Sequence, residues 1–268
     1  MASAKEKRIK DLEKKRAARA NKEVLPSFNY LITLMYDGSN YGGYAKQKHK
    51  NTIQDILNQV LRDYFKQEIS TIESSRTDAK VHAIDQKVMF TTNTNLTINK
   101  TINELNDILP NDIIIKDITK VANNFHCRYD VKNKTYVYTI SKSLDPRENN
   151  YAWYIKDKLD VKAMVKASKC LIGKHDFNTF KSSKAQSDSS IRTINSLDIK
   201  EDDKHITIEI NGDGFLYNMV RLIVKALVDV GLHKQEVSYI QYLLDLKEKP
   251  SNLESAPAQG LCLSKINY

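Results

Sequence analysis

Lys134-Thr135-Tyr136-Val137-Tyr138-Thr139-Ile140 sets Tyr136, Tyr138 and Ile140 on one side of an extended chain, the period-two pattern of a half-buried strand. Read as a strand, this stretch opens a second structural unit. Upstream, Asn29 to Tyr36 alternates in the same way through Tyr30, Ile32, Leu34 and Tyr36, and enters the turn Asp37-Gly38-Ser39. Each of these strands leads to a helix. After the first, Ile53, Ile56, Leu57, Val60, Leu61 and Tyr64 form an apolar stripe behind Thr52 and Asp55, which make a capping-box-like start. After the second, the pattern predicts a helix from Asp160 to Ile172, ended by Gly173.

The remaining elements fall into line around these two. In the first unit a strand is expected near Lys87 to Thr92, a helix near Ile102 to Leu109 stopped by Pro110, and a strand near Ile113 to Lys120. In the second, strands near Ile191 to Lys200 and His205 to Asn211 precede a helix carrying Met219, Val220, Ile223, Val224 and Leu227 and closed by Gly231. A short helix around Val237 to Leu246 and a last strand from Leu261 to Asn267 follow. Strands joined both to neighbouring strands and through helices predict an α+β fold, two similar α/β halves with mixed, largely antiparallel sheets and a cleft between them. The expected division is a basic N-terminal extension over 1–26, an N-terminal half over 27–124 and a C-terminal half over 125–268.

The chain of 268 residues carries 42 Lys and Arg against 33 Asp and Glu, a net charge of +9, which favours a polyanionic partner. Residues 1 to 25 hold nine of the basic and four of the acidic residues, so this leader reads as a solvated helix or disordered arm, either contacting RNA or aiding solubility. It has no apolar core of a secretory signal, and its four acids argue against an organellar transit peptide. Cys127, Cys170 and Cys262 are odd in number, far apart and without a C-x-x-C pair, which points to a reduced compartment and no zinc site. No apolar run approaches the roughly 20 residues of a membrane span. A cytoplasmic protein is expected.

The chemistry is concentrated in Ser75-Arg76-Thr77-Asp78-Ala79-Lys80-Val81-His82-Ala83, a polar run between a helix and a strand. A carboxylate at a sheet edge can serve as a nucleophile, and a neighbouring arginine can hold it ionised or touch a phosphate. Taken alone, Asp78 reads more readily as a turn or cap residue.

Several stretches change that balance together. Tyr36-Asp37-Gly38-Ser39-Asn40-Tyr41, Arg76-Thr77-Asp78-Ala79, Val81-His82-Ala83, Leu109-Pro110 and Phe125-His126-Cys127-Arg128-Tyr129 come first. Gly173-Lys174-His175-Asp176-Phe177, Ile191-Arg192-Thr193-Ile194, Gly214 through Arg221, and Ala256-Pro257-Ala258-Gln259-Gly260-Leu261 follow in order. From about Tyr30 to Tyr268 the chain thereby resembles the tRNA pseudouridine synthase A (TruA) family. The resemblance implies the pseudouridine synthase fold with a central basic cleft, and isomerisation of uridine to pseudouridine in the tRNA anticodon stem-loop at positions 38 to 40. It also implies no cofactor or metal, and a homodimer in which each tRNA touches both subunits.

By the same resemblance Asp78 matches the essential aspartate and Arg221 its ion-pair partner. Tyr136 matches the tyrosine that stacks on the target base and can move a proton. Arg76 matches the residue that takes the place of the extruded base, and Arg128 and Arg192 are expected to bind phosphates or brace the cleft. An ion pair of this kind typically lowers a carboxylate pKa by about 1 to 3 units, so Asp78 is expected to be held ionised. His82, His126 and His175 lack metal spacing and are expected to be structural or to face RNA; Tyr138 is expected in the core. Three positions depart from the family pattern: Ser75 and Lys80 stand where it has glycine, and Tyr44 where it has tryptophan. A tRNA-binding module without catalysis, or a ribosome-associated protein using its basic leader, are the rival readings. Either leaves the set Asp78, Tyr136 and Arg221 without a purpose.

Overall fold

The computed structural model describes residues 27–182, 189–246 and 248–268. The expectation for the leader over 1–26 therefore lies outside the described residues. Among the described residues ten strands form one sheet: β1 (Phe28–Tyr36), β2 (Ile72–Glu73), β3 (His82–Thr92), β4 (Ile113–Val121), β5 (Asn133–Ser141), β6 (Trp153–Tyr154), β7 (Gly173–Asp176), β8 (Ile191–Glu201), β9 (His205–Gly212) and β10 (Leu261–Asn267). The main path runs β4-β1-β3-β10-β5-β9-β8-β7, with β2 paired to β3 and β6 to β5. The α+β class holds, and the strands join into a single sheet. Its pairings are antiparallel except β10 with β3 and β6 with β5, which are parallel.

β10 decides how the site is assembled. It pairs on one side with β3, Cys262 opposite His82, and on the other with β5, Leu263 opposite Tyr136. The last strand thus brings residues from early and middle stretches of the chain to adjoining positions.

Among the described residues five α-helices accompany the sheet: α1 (Ile53–Phe65), α2 (Ile98–Ile108), α3 (Val161–Ser168), α4 (Met219–Gly231) and α5 (Tyr239–Asp245). In α1 the Thr52 hydroxyl accepts from the Asp55 N–H and donates to the Asp55 carboxylate at 2.8 Å, the expected cap, while Ile53, Leu57, Val60 and Leu61 are buried. Ten of the thirteen residues of α4 are buried. At roughly 1.5–3 kcal/mol for each large aliphatic side chain removed from water, that burial anchors the helix firmly. The three exceptions are charged: Arg221 in its first turn, and Lys225 and Asp229, which pair with each other. The apolar stripes of the helices and alternate residues of the strands make one continuous core, in which Tyr138 and Tyr44 are fully buried.

Several elements differ from the sequence pattern: the short strands β2, β6 and β7 are not in it, and α2 begins at Ile98, four residues before Ile102. The helix expected from Asp160 to Ile172 is α-helical only to Ser168 and tightens into a 3-10 turn over Lys169–Leu171, a common way to close a last turn. Gly173 then takes φ +107° and opens β7. β3 begins at His82, five residues before the expected Lys87, because His82 and Gln86 are polar side chains buried through hydrogen bonds, so apolar alternation did not mark them.

Lys80 resolves the glycine question. Its φ is +65°, so the turn does use the left-handed region, in a residue for which that region costs about 1–2 kcal/mol. Lys80→Gly relieves that strain and returns part of the gain as freedom of the unfolded chain. The expected result is a net stabilisation of about 1 kcal/mol, read as a rise of ~2 °C in Tm by calorimetry. A lower Tm would show that the lysine side chain makes a compensating contact.

Candidate active site

The loop between β2 and β3 is held rigidly from several directions. The Thr77 carbonyl accepts from the Tyr44 N–H at 3.0 Å, and the Asp78 carbonyl accepts from the Val81 N–H at 3.2 Å. Gly43, at φ +111°, passes so close that a Cβ there would stand 2.8 Å from the Thr77 carbonyl oxygen. Tyr44 fills core space with its ring and uses its backbone to pin the loop.

A cleft of about 640 Å³ opens above this loop, and its walls include Arg76, Asp78, Arg128, Tyr136, Arg192 and Arg221. All six expected residues therefore share one surface, although they come from the β2–β3 loop, the turn after β4, strands β5 and β8, and helix α4. Seven lysines and arginines line the cleft against one carboxylate, Asp78. A smaller cavity of about 340 Å³, with Met35, Ile84 and Cys262 in its walls, contains none of the six. The charged cleft, and not this cavity, gathers the expected set.

Arg221 Nη1 stands 3.6 Å from Asp78 Oδ2, an ion pair at a distance beyond a hydrogen bond. The guanidinium is fixed by its own donors: Nε to the Ala256 carbonyl at 2.7 Å, Nη2 to the Ser255 hydroxyl at 3.1 Å and Nη1 to Asn218 Oδ1 at 3.1 Å. It is a pre-set cation. Burial pushes the Asp78 carboxyl above its usual value, and the opposing pull of Arg221 does not fully offset it. This reverses the direction expected from the pair alone, because desolvation of the carboxylate is the larger effect.

Tyr136 packs edge-on against Phe215 with ring centres 5.3 Å apart, and its hydroxyl pairs with the Ser75 hydroxyl at 2.8 Å. Burial raises its pKa to about 12, with Ser75 acting against that rise and Asp78 adding to it, so the phenol is neutral at physiological pH. Tyr138, two residues on, is core, its hydroxyl donating to the Pro257 carbonyl at 2.8 Å.

The arginines divide by partner. Arg76 is exposed on the cleft and makes no hydrogen bond or ion pair among the described residues. Arg128 is committed: its Nη2 pairs with the buried Glu73 carboxylate and its Nε donates to the Glu73 carbonyl. It braces the wall. Arg192 Nη1 donates to the carbonyls of Ser189 and Ile191. Three motif histidines bond to backbone groups: His82 accepts from the Gly38 N–H and meets the Asn150 carbonyl, with the Asp37 carboxylate also 3.1 Å away, His126 accepts from the Arg128 N–H, and His175 meets the Ile172 carbonyl.

The sequence matches the family model described as tRNA pseudouridine synthase over residues 32–130 and 167–268. It is 41% identical over 244 residues to tRNA pseudouridine synthase A 2 of Clostridium tetani, covering 90% of this chain and 98% of that one. It is also 41% identical over 242 residues to tRNA pseudouridine synthase A of a Thermoanaerobacter species, covering 90% and 99%. The chain belongs to the tRNA pseudouridine synthase family.

Within this member of the synthase family, two residues escaped the sequence reading: Lys134 on the cleft wall and the buried Glu73 that pairs with Arg128. Glu73 is 4% exposed, and a buried carboxylate of this kind is tolerated through its pairing with Arg128. Lys134 donates to the Ser74 carbonyl at 2.6 Å, and burial, aided by Arg128, lowers its pKa to about 8. Its signal was present in the sequence: it lies two residues before Tyr136 and so shares that strand face. Glu73 carried no such sign, being one acid among many until Arg128 folds against it.

Proposed function

We propose that the cleft takes the anticodon stem-loop of tRNA and isomerises uridine to pseudouridine at positions 38 to 40, with Asp78 as the catalytic carboxylate. The observation that carries this reading is the gathering of Asp78, Arg221, Tyr136 and Arg76 in one basic cleft. The reaction breaks the bond from N1 of uracil to the ribose and forms one from C5; C5 loses a proton and N1 gains one, so the product is an isomer. Asp78 supplies an electron pair, to base or sugar, to hold the separated fragments. Arg221 keeps that carboxylate ionised against the push of its buried setting.

The target base must leave its stack, at a cost of a few kcal/mol that contact with the Tyr136 ring can return. Arg76, exposed beside the loop, fills the position that the base vacates. The remaining cations suit a phosphate backbone, and Arg192 and Lys134 lie along the same walls. The family resemblance supports a homodimer without a cofactor, the spaced, unpaired cysteines support a cytoplasmic setting, and the repeated strand-then-helix order supports 27–124 and 125–268 as the two halves of each subunit. Among the described residues no helix is long and apolar enough to cross a membrane.

Pseudouridine mapping of cellular tRNA, with and without the protein, tests the reading. The expected result is loss confined to the anticodon stem-loop. Loss elsewhere in tRNA overturns the proposed target, and an unchanged map overturns the function.

A further inference from the structure

The residues on either side of Arg76 are held in a way that the proposed chemistry does not use. Ser75 and Thr77 are 9% and 7% exposed while Arg76 between them is open, so the loop alternates inward and outward. On the inward side Gln86 of β3, fully buried, grips the Ser75 backbone twice. The Ser75 N–H donates to Gln86 Oε1 at 3.3 Å, and Gln86 Nε2 donates to the Ser75 carbonyl at 2.6 Å. The Tyr36 and Thr77 hydroxyls pair at 2.7 Å and fix the next inward residue. With its backbone so held, the Ser75 hydroxyl meets the Tyr136 hydroxyl at 2.8 Å.

Two features set this contact apart from ordinary packing. First, Ser75 is the one hydrogen-bond partner of the Tyr136 hydroxyl among the described residues, and the edge-on Phe215 contact supplies the other restraint on the ring. Second, the pair joins segments 61 residues apart that carry different parts of the site: the loop with Asp78 and the strand with Tyr136. A glycine at this position, as in the family pattern, offers no hydroxyl, and a buried phenol without a partner is costly and less well fixed.

We propose that Ser75 is a positioning residue of this enzyme: its hydroxyl sets the tilt of the Tyr136 ring against the flipped uracil and registers that ring with Asp78. The proposal rests on the functional reading above. Ser75 touches no reacting atom and acts through Tyr136 alone. Misplacement by a fraction of an ångström affects the reacting complex more than tRNA capture, which is spread over many phosphate contacts.

The test is a double-mutant cycle on the full chain, with Ser75→Ala, Tyr136→Phe and the pair assayed for kcat and KM on an unmodified tRNA transcript. Ser75→Ala is expected to lower kcat roughly tenfold with KM changed by less than about twofold. In the Tyr136→Phe background the same change should have no further effect, because the hydroxyl through which it acts is gone. Ser75→Gly supplies the same comparison should the alanine variant fail to fold. An unchanged kcat in the single variant, or an equal loss in both backgrounds, overturns the proposal. Absence of pseudouridine with the wild-type chain would instead overturn the functional reading, so the two failures are distinct.

Discussion

Asp78→Asn is expected to abolish pseudouridine formation, by at least about a thousandfold in kcat/KM, while tRNA affinity stays within about threefold. The substitution keeps the shape of the side chain and removes its nucleophilic electron pair. The cleft remains basic, since its seven lysines and arginines are untouched. Arg221 keeps its place through Ala256, Ser255 and Asn218, so loss of activity cannot be ascribed to its collapse. Nor should the fold weaken. Burial raises the Asp78 pKa in the folded chain, so the ionised carboxylate opposes folding at neutral pH, and a neutral amide removes that opposition. The measurement is single-turnover release of the C5 hydrogen of uridine alongside tRNA binding by filter retention. Turnover within tenfold of wild type would exclude Asp78 as the reacting group.

Arg221→Met should reduce kcat roughly a hundredfold at pH 7 and move the acid limb of its pH profile upward. Activity requires the ionised form, so it is present above the Asp78 pKa and is lost as pH falls through it. That pKa already lies above the ordinary aspartate value because burial outweighs Arg221. Without the arginine nothing opposes burial, the carboxyl is protonated at a still higher pH, and part of the lost activity should return as pH is raised. The Ala256 carbonyl also loses its donor, which costs stability of about 1–3 kcal/mol. A fold defect lowers activity at every pH, whereas lost charge compensation shifts the limb. A variant with an unmoved acid limb would assign Arg221 to structure alone.

The strands and helices legible in the sequence were those whose burial is apolar. β10 matched its expected range, and β1, β4, β5, β8 and β9 matched within one or two residues, because Tyr30, Ile32 and Leu34, or Ile206, Ile208 and Ile210, alternate cleanly. The first half of β3 did not, since Gln86 is buried by pairing with Ser75 and Tyr36 rather than by being apolar. The site followed the same division. Family motifs led to Asp78, Arg221 and Tyr136, and the structure places them in one cleft, but the sign of the Asp78 shift depended on depth of burial, which no local pattern carries. The φ of Lys80 was likewise a property of the turn as folded. Glu73 and Arg128, 55 residues apart, became a pair only in three dimensions.

β10 also bears on the order in which the enzyme becomes competent. Its partners β3 and β5 lie more than a hundred residues earlier in the chain, so their union is a late, non-local event in folding. Helices and hairpins can form on either side of that seam without it. Until β10 docks, however, the β3 edge that follows the Asp78 loop and the β5 edge that bears Tyr136 have no common ruler. A population caught before docking would carry nearly all its secondary structure and no assembled active site.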